Sequence, residues 1–325
     1  LLIFLTITST SFAQNDYLLA DSYYREGANK KATQQIKKLY AKSPFNTSYL
    51  NRLVSCYQET EQFSEAEQLL ISKLKKNPEQ GFLYVYLGYN YERQQQKELA
   101  RENYALALKS IDKNPSYGAI IGRTFKDYNL LDTAVLAYEK VMKINKNADY
   151  NFQIAQIQGE KGDFKNMFES CINLVDKKEQ YASVIQGFTS KYITDDSENK
   201  ANIIFKKTLL RKSASQPKNV WNALLSWLFI QQKEYEKALV QEKALYQRNS
   251  SGLSAIFSLG KIAFENKNFT FAKECFDFIT QKSSLNEEII DAYFYIAKIA
   301  VANHNPETEA LFQSLFKKFG KKTGT

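Results

Sequence analysis

Apolar and polar residues follow the period of an α-helix over most of the chain. In the stretch 83–110, apolar side chains recur at spacings of three and four residues, and strong helix formers fill the positions between them. Strand and hairpin patterns are absent from the sequence. The pattern therefore predicts an all-α protein. It also raises a question, because Gly88 interrupts an aromatic helical run at a cost of roughly 1 kcal/mol relative to alanine.

A second pattern is superimposed on the first, because residue types recur at a fixed step. Gly122 follows Gly88 by 34 residues, and Tyr138 follows Tyr104 by the same distance. The same step connects three further series, which are Ala32, Ala66, Ala100 and Ala134; Tyr23, Tyr57 and Tyr91; and Pro44 and Pro78. Self-similarity at a period of this length is typical of a repeat array.

These residues resemble the tetratricopeptide repeat family, whose unit is a 34-residue helix-turn-helix. Residues 81–114 carry the family pattern at Tyr84, Leu87, Gly88, Tyr91, Ala100, Tyr104 and Ala107. Nine such repeats begin near Ala13, Thr47, Gly81, Pro115, Ala148, Ala182, Asn219, Leu253 and Ile290. The resemblance implies an all-α, right-handed superhelical solenoid of about nine helix-turn-helix repeats over residues 14–325.

The small residues at equivalent positions have a physical reason. Two helices approach closely where side chains are small, so we expect Gly88, Gly122 and Gly260 to be contact points on the first helices. Large residues on the second helices, such as Tyr104 and Phe276, should fill the remaining space.

Several repeats depart from the pattern. Met167 stands at an alanine position, Thr189 at a glycine position and Glu242 at an aromatic position. We expect the array to be irregular between about residues 155 and 218, as a bend or as a split into two sub-arrays.

The two ends of the chain carry separate expectations. Residues 1–13, an uncharged apolar run ending at Ala13, are typical of a secretory signal peptide that lacks its first residues and is cleaved before Gln14. Near the other end, Leu311, Phe312, Leu315, Phe316 and Phe319 form an apolar stripe at helical spacing. A terminal repeat needs a polar outer face, so we expect a further helix beyond residue 325.

Charge and cysteine content exclude some classes. The 44 Lys and Arg against 35 Asp and Glu give a net charge of +9. Basic pairs are spread along the chain without a long run, which favours a solvated lysine face over a nucleic-acid or anionic-surface patch. Cys56, Cys171 and Cys275 lie in separate repeats, too far apart for the ~7 Å reach of a disulfide.

No catalytic pattern is present. The single histidine, His304, lies in a polar loop, and no phosphate-binding, dinucleotide-binding or nucleophile motif occurs. The sequence predicts a protein that is not an enzyme and that holds no cofactor and no metal.

The remaining candidate for a functional site is a binding surface. In tetratricopeptide repeat proteins the first helices line a concave groove, so the resemblance implies a groove that binds a protein or peptide. The residues expected there are Tyr17, Asp21, Tyr24, Asn51, Tyr89, Arg93, Arg123, Trp227 and Lys261. For Tyr89 and Trp227, contact with a neighbouring repeat is an equally good interpretation.

The functional hypothesis is a non-catalytic protein-protein interaction scaffold of the cell envelope, with no nucleic acid and no small-molecule substrate among its partners. The composition and the signal sequence resemble exported proteins of Bacteroidota, which places the chain in the periplasm or at the outer membrane. One alternative is the periplasmic sensor region of a larger membrane-bound regulator. A weaker one is the accessory part of a secreted enzyme.

Overall fold

Within residues 16–249, 253–304 and 308–319, which the computed structural model describes, the regular secondary structure is helical and includes no strand. The predicted all-α class is confirmed. The helices form two compact units, an N-terminal unit that ends at Tyr150 and a C-terminal unit that begins at Asn151. No helix in the described part is long and apolar enough to cross a membrane. The proposed signal peptide, residues 1–13, lies outside the described residues.

The N-terminal unit contains four helix pairs, which are repeats one to four. Its helices are α1 (described over 16–25), α2 (Asn29–Lys42), α3 (Thr47–Glu59), α4 (Phe63–Lys76), α5 (Phe82–Arg93), α6 (Lys97–Lys113), α7 (Gly118–Asp127) and α8 (Leu131–Ile144). A 3₁₀ turn, Pro115–Tyr117, leads into α7.

The turn between the two helices of each repeat is itself repeated. Gly27, Glu61, Gln95 and Asn129 have φ angles of 77°, 59°, 61° and 59°, and each follows the last by one full period of the repeat. This left-handed conformation is uncommon for residues other than glycine, so its regular recurrence shows that repeats one to four share one turn geometry. His304 occupies such a turn in the C-terminal unit, with φ 51°, as expected for a polar loop residue.

The small positions of the first helices are close-contact points, as predicted. A Cβ atom on Gly88 would lie 2.4 Å from Cε1 of Tyr104. A Cβ on Gly122 would lie 2.7 Å from Cε1 of Tyr138. In each pair the glycine is on the first helix and the large residue is at the equivalent position of the second. The aromatic ring therefore occupies the volume that any larger residue would need, and close packing offsets the helix cost of glycine.

The C-terminal unit contains five helix pairs. Its helices are α9 (Asn151–Glu160), α10 (Phe164–Lys177), α11 (Ala182–Thr189), α12 (Lys200–Ser215), α13 (Asn219–Gln231), α14 (Tyr235–Asn249), α15 (Leu253–Glu265), α16 (Phe269–Lys282), α17 (Asn286–Ala302) and α18 (Thr308–Phe319). Gly260 repeats the close contact here, with its Cβ position 2.9 Å from Cζ of Phe276.

Repeat six is the least regular part of this unit. Its first helix, α11, has only 8 residues, and α12 packs mainly against α10 and α13. The connection between α11 and α12 is fixed by Asn202, whose side-chain amide donates to the carbonyl oxygens of Thr194 at 2.8 Å and Asp196 at 2.7 Å.

One predicted boundary is wrong. The last repeat begins at Asn286, ahead of the predicted start at Ile290. Glu287 and Glu288 lie in the first turn of α17, where carboxylates interact favourably with the helix dipole. The hydroxyl of Ser283 also donates to Glu288 at 2.6 Å, which holds this start in place.

The remaining expectations concern cysteines and the last helix. Cys56, Cys171 and Cys275 are buried and unpaired, as predicted. On α18, Phe312 and Phe316 are 43% and 79% exposed, while the side chains of Leu311 and Phe319 lie outside the described residues.

Candidate binding cleft

The N-terminal unit holds a cleft of about 390 Å³ on the side of its first helices. We call it the tyrosine cleft, and its lining residues are Tyr17, Tyr24, Ser48, Asn51, Arg52, Ser55, Tyr86, Asp127 and Tyr128. They come from α1, α3, α5 and the end of α7. Equivalent positions on successive first helices recur with the repeat period, so the repeat itself brings these side chains to one surface.

Arg52 is the central charged residue on one side of the cleft. Its guanidinium lies 4.3 Å from the ring centroid of Tyr24, which is cation–π distance. It also bonds to Asp21, and Arg25 pairs with the other carboxylate oxygen of Asp21 at 2.7 Å. Burial alone would lower the pKa of Arg52, but the Asp21 carboxylate and the hydroxyl of Tyr17 raise it. The guanidinium is therefore charged and fixed against the ring.

The floor of the cleft is a buried hydrogen-bond chain. The hydroxyl of Tyr128 donates to Oε1 of Gln58 at 2.9 Å, and Nε2 of Gln58 donates to the Tyr86 carbonyl at 3.0 Å. Tyr128 also stacks on Tyr89, with ring centroids 4.0 Å apart. Burial raises the pKa of Tyr128 well above its usual value, and the neighbouring Tyr86 raises it further. These contacts tie repeats two, three and four together beneath the cleft.

Two polar atoms at the cleft have no hydrogen-bond partner among the described residues. They are Oδ1 of Asn51, an acceptor, and Nε of Arg52, a donor. A buried polar atom without a partner costs about 1–3 kcal/mol, so a ligand that supplied an N–H group and an oxygen acceptor would recover that cost. The arrangement is suited to hydrogen bonding and aromatic contact.

Five of the nine predicted site residues lie in or beside the cleft. Tyr17, Tyr24 and Asn51 line the cleft. Asp21 is only 7% exposed, so it holds Arg52 and does not offer a free surface. Tyr89 contacts Tyr128 in the next repeat, which was the alternative interpretation.

The two predicted arginines of the N-terminal unit lie at the edge of this region. Nη1 of Arg93 bonds to Oε1 of Glu59 at 3.2 Å, and its guanidinium lies 5.9 Å from the Tyr89 ring centroid. Arg123 is exposed on α7, and its charge partly opposes the burial that raises the pKa of Asp127, a cleft-lining residue.

Trp227 and Lys261 belong to the C-terminal unit and do not line the tyrosine cleft. Trp227 is half-buried and makes an edge contact with Phe205, with centroids 6.4 Å apart. This ring packs against the hydrophobic core of its own unit, so its surroundings match the neighbouring-repeat interpretation. Lys261 is half-buried on α15. The role of both residues in binding stays a prediction.

Sequence reasoning missed Arg52 and Tyr128. A signal for the first was present, because Asp21 and Arg52 carry opposite charges on the same face of successive first helices. No comparable signal marked Tyr128, since its contact with Gln58 joins repeats two and four across the whole of repeat three.

A wider depression, about 680 Å³, lies between α6 and α8 on the other side of the N-terminal unit. Leu108, Leu136 and Ile144 line it, and Lys140 pairs with Asp112 there at 2.6 Å. None of the residues that line this depression has a buried side-chain polar atom without a partner, whereas Asn51 and Arg52 of the tyrosine cleft do. In the described part of the chain, no group of three His, Cys, Asp or Glu side chains is placed to hold a metal ion.

Comparison with known proteins gives structural matches alone. No family model matches the sequence, and no curated protein matches it. A tetratricopeptide repeat protein from Parabacteroides merdae is 12% identical, with a TM-score of 0.28 over 89% of this chain and 98% of that one. The C-terminal part of a TPR repeat-containing protein from Cytophaga hutchinsonii is 14% identical, with a TM-score of 0.31 over 85% and 98% of the two chains.

A third similar structure is Naa15/Naa10 bound to HypK-THB, at 12% identity and a TM-score of 0.32. The match covers 49% of that chain, so the present chain spans about half of its length. With TM-scores this low, the assignment rests on the molecule's own geometry. Paired helices, a left-handed turn and a small-to-large contact recur with one period along the sequence, and the chain accordingly has the all-α helix-turn-helix repeat fold that its resemblance to tetratricopeptide repeats implies.

Proposed function

We propose that this protein is a non-catalytic interaction scaffold that binds an extended segment of a partner protein in the tyrosine cleft. The observation that carries this proposal is the pair of unpartnered polar atoms, Asn51 Oδ1 and Arg52 Nε, in a cleft that the half-buried rings of Tyr17 and Tyr24 also line. Peptide backbone offers N–H donors and carbonyl acceptors in alternation, which is the complement of this pair.

The electrostatics of the cleft favour a segment that is polar or aromatic and not strongly charged. Arg52 is already paired with Asp21, which Arg25 also contacts, and Arg93 is paired with Glu59. Tyr and Arg side chains are enriched among residues that carry binding energy at protein interfaces. Because Arg52 is held by its partners before binding, little side-chain entropy remains to be lost.

A display library of random peptides, selected on the full chain, tests this proposal. We expect enriched peptides that bind the wild-type protein and lose at least tenfold in affinity, about 1.4 kcal/mol, when Ser55→Arg fills the cleft. The matched control is Ser72→Arg on α4, where the side chain is exposed and outside the cleft. Failure to enrich any peptide, or equal binding by both variants, contradicts the proposal.

We further propose that the protein acts in the cell envelope after export, because residues 1–13 have the apolar run and small residues that a signal peptidase recognises. Expression from the complete native gene should give a mature chain that begins at Gln14. Intact-mass analysis that finds residues 1–13 retained in the extracted protein argues against export by this route.

The alternative, a sensor region of a larger regulator, uses the same cleft for a different purpose. It requires a membrane-spanning segment and a signalling domain in the same gene. Sequencing the complete gene distinguishes the two proposals, and the peptide selection applies to both.

A further inference from the structure

A second surface of the N-terminal unit lies at the turn between repeats one and two. Phe45 forms the tip of this turn and is 97% exposed, the most exposed of the large hydrophobic residues described. A scattered exposed apolar residue needs no explanation by itself. Here, however, three further observations concern the same tip.

The first observation is that the turn is held rigidly. Nζ of Lys73 donates to the Pro44 carbonyl at 2.6 Å. On the other side of Phe45, the Asn46 side chain caps α3 by accepting from the backbone N–H of Ser48 at 2.9 Å and Tyr49 at 3.2 Å. These contacts hold the backbone on both sides of Phe45, so little backbone entropy would be lost on contact.

The second observation comes from the repeat itself, which supplies the comparison within one chain. Positions one, two and three periods after Phe45 are Glu79, Lys113 and Asn147, and all three are exposed. The fold accepts polar residues at this place in the turn, so packing does not require an aromatic ring there. Phe45 is apolar where its three equivalents are polar, and an exposed aromatic ring lowers solubility.

The third observation is charge. Helix α2, which leads into the turn, carries five lysines and no acidic residue. Its last lysines, Lys38 and Lys42, are exposed, and α4 ends beside it with Lys75 and Lys76. The two helix ends adjoin, because Lys73 lies 5.2 Å from the Tyr40 ring centroid.

Another lysine-rich helix provides a comparison, because two of its basic residues are paired with carboxylates. Helix α12 also has five basic residues and no acidic one. There Arg211 pairs with Glu169 at 3.0 Å and Lys212 pairs with Asp176 at 2.5 Å. In the described structure, Lys38 and Lys42 have no such carboxylate.

We propose that this basic tip, defined as Phe45 with Lys38, Lys42, Lys75 and Lys76, docks the protein on the surface of an anionic lipid bilayer. An aromatic ring inserts at the level of the lipid headgroups, and surrounding lysines are attracted to anionic lipid within a Debye length. Two weak signals together anchor a protein where one alone does not. The docking is independent of the tyrosine cleft, which stays free to bind its peptide.

Co-sedimentation with vesicles tests the proposal, with phosphatidylglycerol in phosphatidylcholine against phosphatidylcholine alone. We expect the full chain to partition onto the anionic vesicles and to be released by salt. Phe45→Ser should lower the partition coefficient about tenfold, since the ring no longer enters the interface. The control is Phe294→Ser, which removes a ring that is 52% exposed elsewhere.

Charge needs its own control, because a chain of net charge +9 is attracted to any anionic surface. Lys38→Glu with Lys42→Glu should abolish vesicle binding. Lys143→Glu with Lys146→Glu, at and just beyond the end of α8, should leave most of it. Insertion is read from Phe45→Trp, whose fluorescence should shift to the blue with anionic vesicles and be quenched by brominated lipid.

Three results overturn the proposal. They are equal binding to both kinds of vesicle, equal effects of the two lysine pairs, and an unshifted fluorescence of the Trp variant in the presence of bound vesicles. The last result means that charge holds the chain on the vesicle without insertion of residue 45. The substituted residues are exposed, so the fold is checked simply by circular dichroism.

Discussion

The ring of Tyr104 occupies the volume into which a side chain at residue 88 would project. A Cβ atom added to Gly88 would lie 2.4 Å from Cε1 of Tyr104 and 3.1 Å from the Ala100 carbonyl oxygen. The aromatic run of α5 therefore contains a glycine because the second helix of the same repeat fills its place. Tyr104 is further held by a hydrogen bond from its hydroxyl to Glu92 at 2.5 Å.

The first prediction follows from this contact. Gly88→Leu should lower the free energy of unfolding by at least about 1–3 kcal/mol, since the added side chain forces Tyr104 out of its position. Urea denaturation followed by circular dichroism measures the change. Gln68→Leu, at an exposed position in the middle of α4, should change it by less than about 0.5 kcal/mol.

A compensating variant separates overpacking from other effects of leucine. With Tyr104→Ala in the same chain, Gly88→Leu should cost less than it does alone, because the space has been vacated. Additive effects of the two substitutions mean that the two residues do not compete for one volume.

The second prediction concerns the floor of the cleft. Tyr128→Phe removes the donor to Oε1 of Gln58, whose side chain is 1% exposed. An acceptor left buried without a partner costs about 1–3 kcal/mol. The matched control is Tyr84→Phe on α5, for a half-buried tyrosine. Hydrogen exchange should accelerate in α3 and α7 for Tyr128→Phe, and unchanged protection in both helices contradicts the prediction.

The third prediction concerns Asp21, which positions Arg52 without contacting a ligand. Asp21→Asn should weaken the binding of selected peptides by releasing the guanidinium from the Tyr24 ring. Arg52→Ala should also weaken binding, and Arg52→Lys should bind no better than Arg52→Ala. The reason is that an ammonium lacks the planar face that stacks on an aromatic ring. Isothermal titration with one enriched peptide measures both effects, and full affinity for Arg52→Lys rules out the stacking role.

Contacts within one repeat were predictable from the sequence, whereas contacts between distant repeats were not. The Gly88–Tyr104 contact was predictable, because it lies within one repeat and recurs with the period. The start of the last repeat was not, because it depends on two glutamates and a serine in a turn that deviates from the period. The contact of Tyr128 could not be predicted, because its partner lies two repeats away and the contact depends on side-chain orientation.

The fourth prediction concerns the thiols. Burial raises the pKa of Cys56 to about 11 and the pKa of Cys171 and Cys275 to about 12. At pH 8 the thiols are therefore protonated, and the reactive thiolate is scarce. The native chain should resist an aromatic disulfide reagent for hours, and urea should release all 3 thiols. Rapid labelling of the native chain shows local opening around one of them.

The last prediction concerns Glu242, which occupies the position of Tyr104 and Phe276 in its own repeat. Ser226 on α13 is its partner at the small position, where the other repeats have Gly88 and Gly260. The Glu242 side chain is 8% exposed, and no cation pairs with it in the described part of the chain. Burial raises its pKa above the ordinary 4.5, and the nearby Ser226 hydroxyl offsets this only in part. A buried carboxylate is favoured in its neutral form.

The sign of the pH dependence follows from this shift. Since the pKa is higher in the folded chain than in the unfolded one, the contribution of Glu242 to stability is fully present below about pH 4.5. It is lost as the pH rises through the folded-state pKa. Glu242→Gln does not titrate, so the variant should gain stability relative to the wild type between pH 4.5 and 8, by about 1–3 kcal/mol at most. Groups such as Asp127 titrate equally in both proteins and cancel in the difference. Thermal melting of the two proteins across this range measures it, and a difference that stays constant with pH shows that folding does not raise the pKa of Glu242.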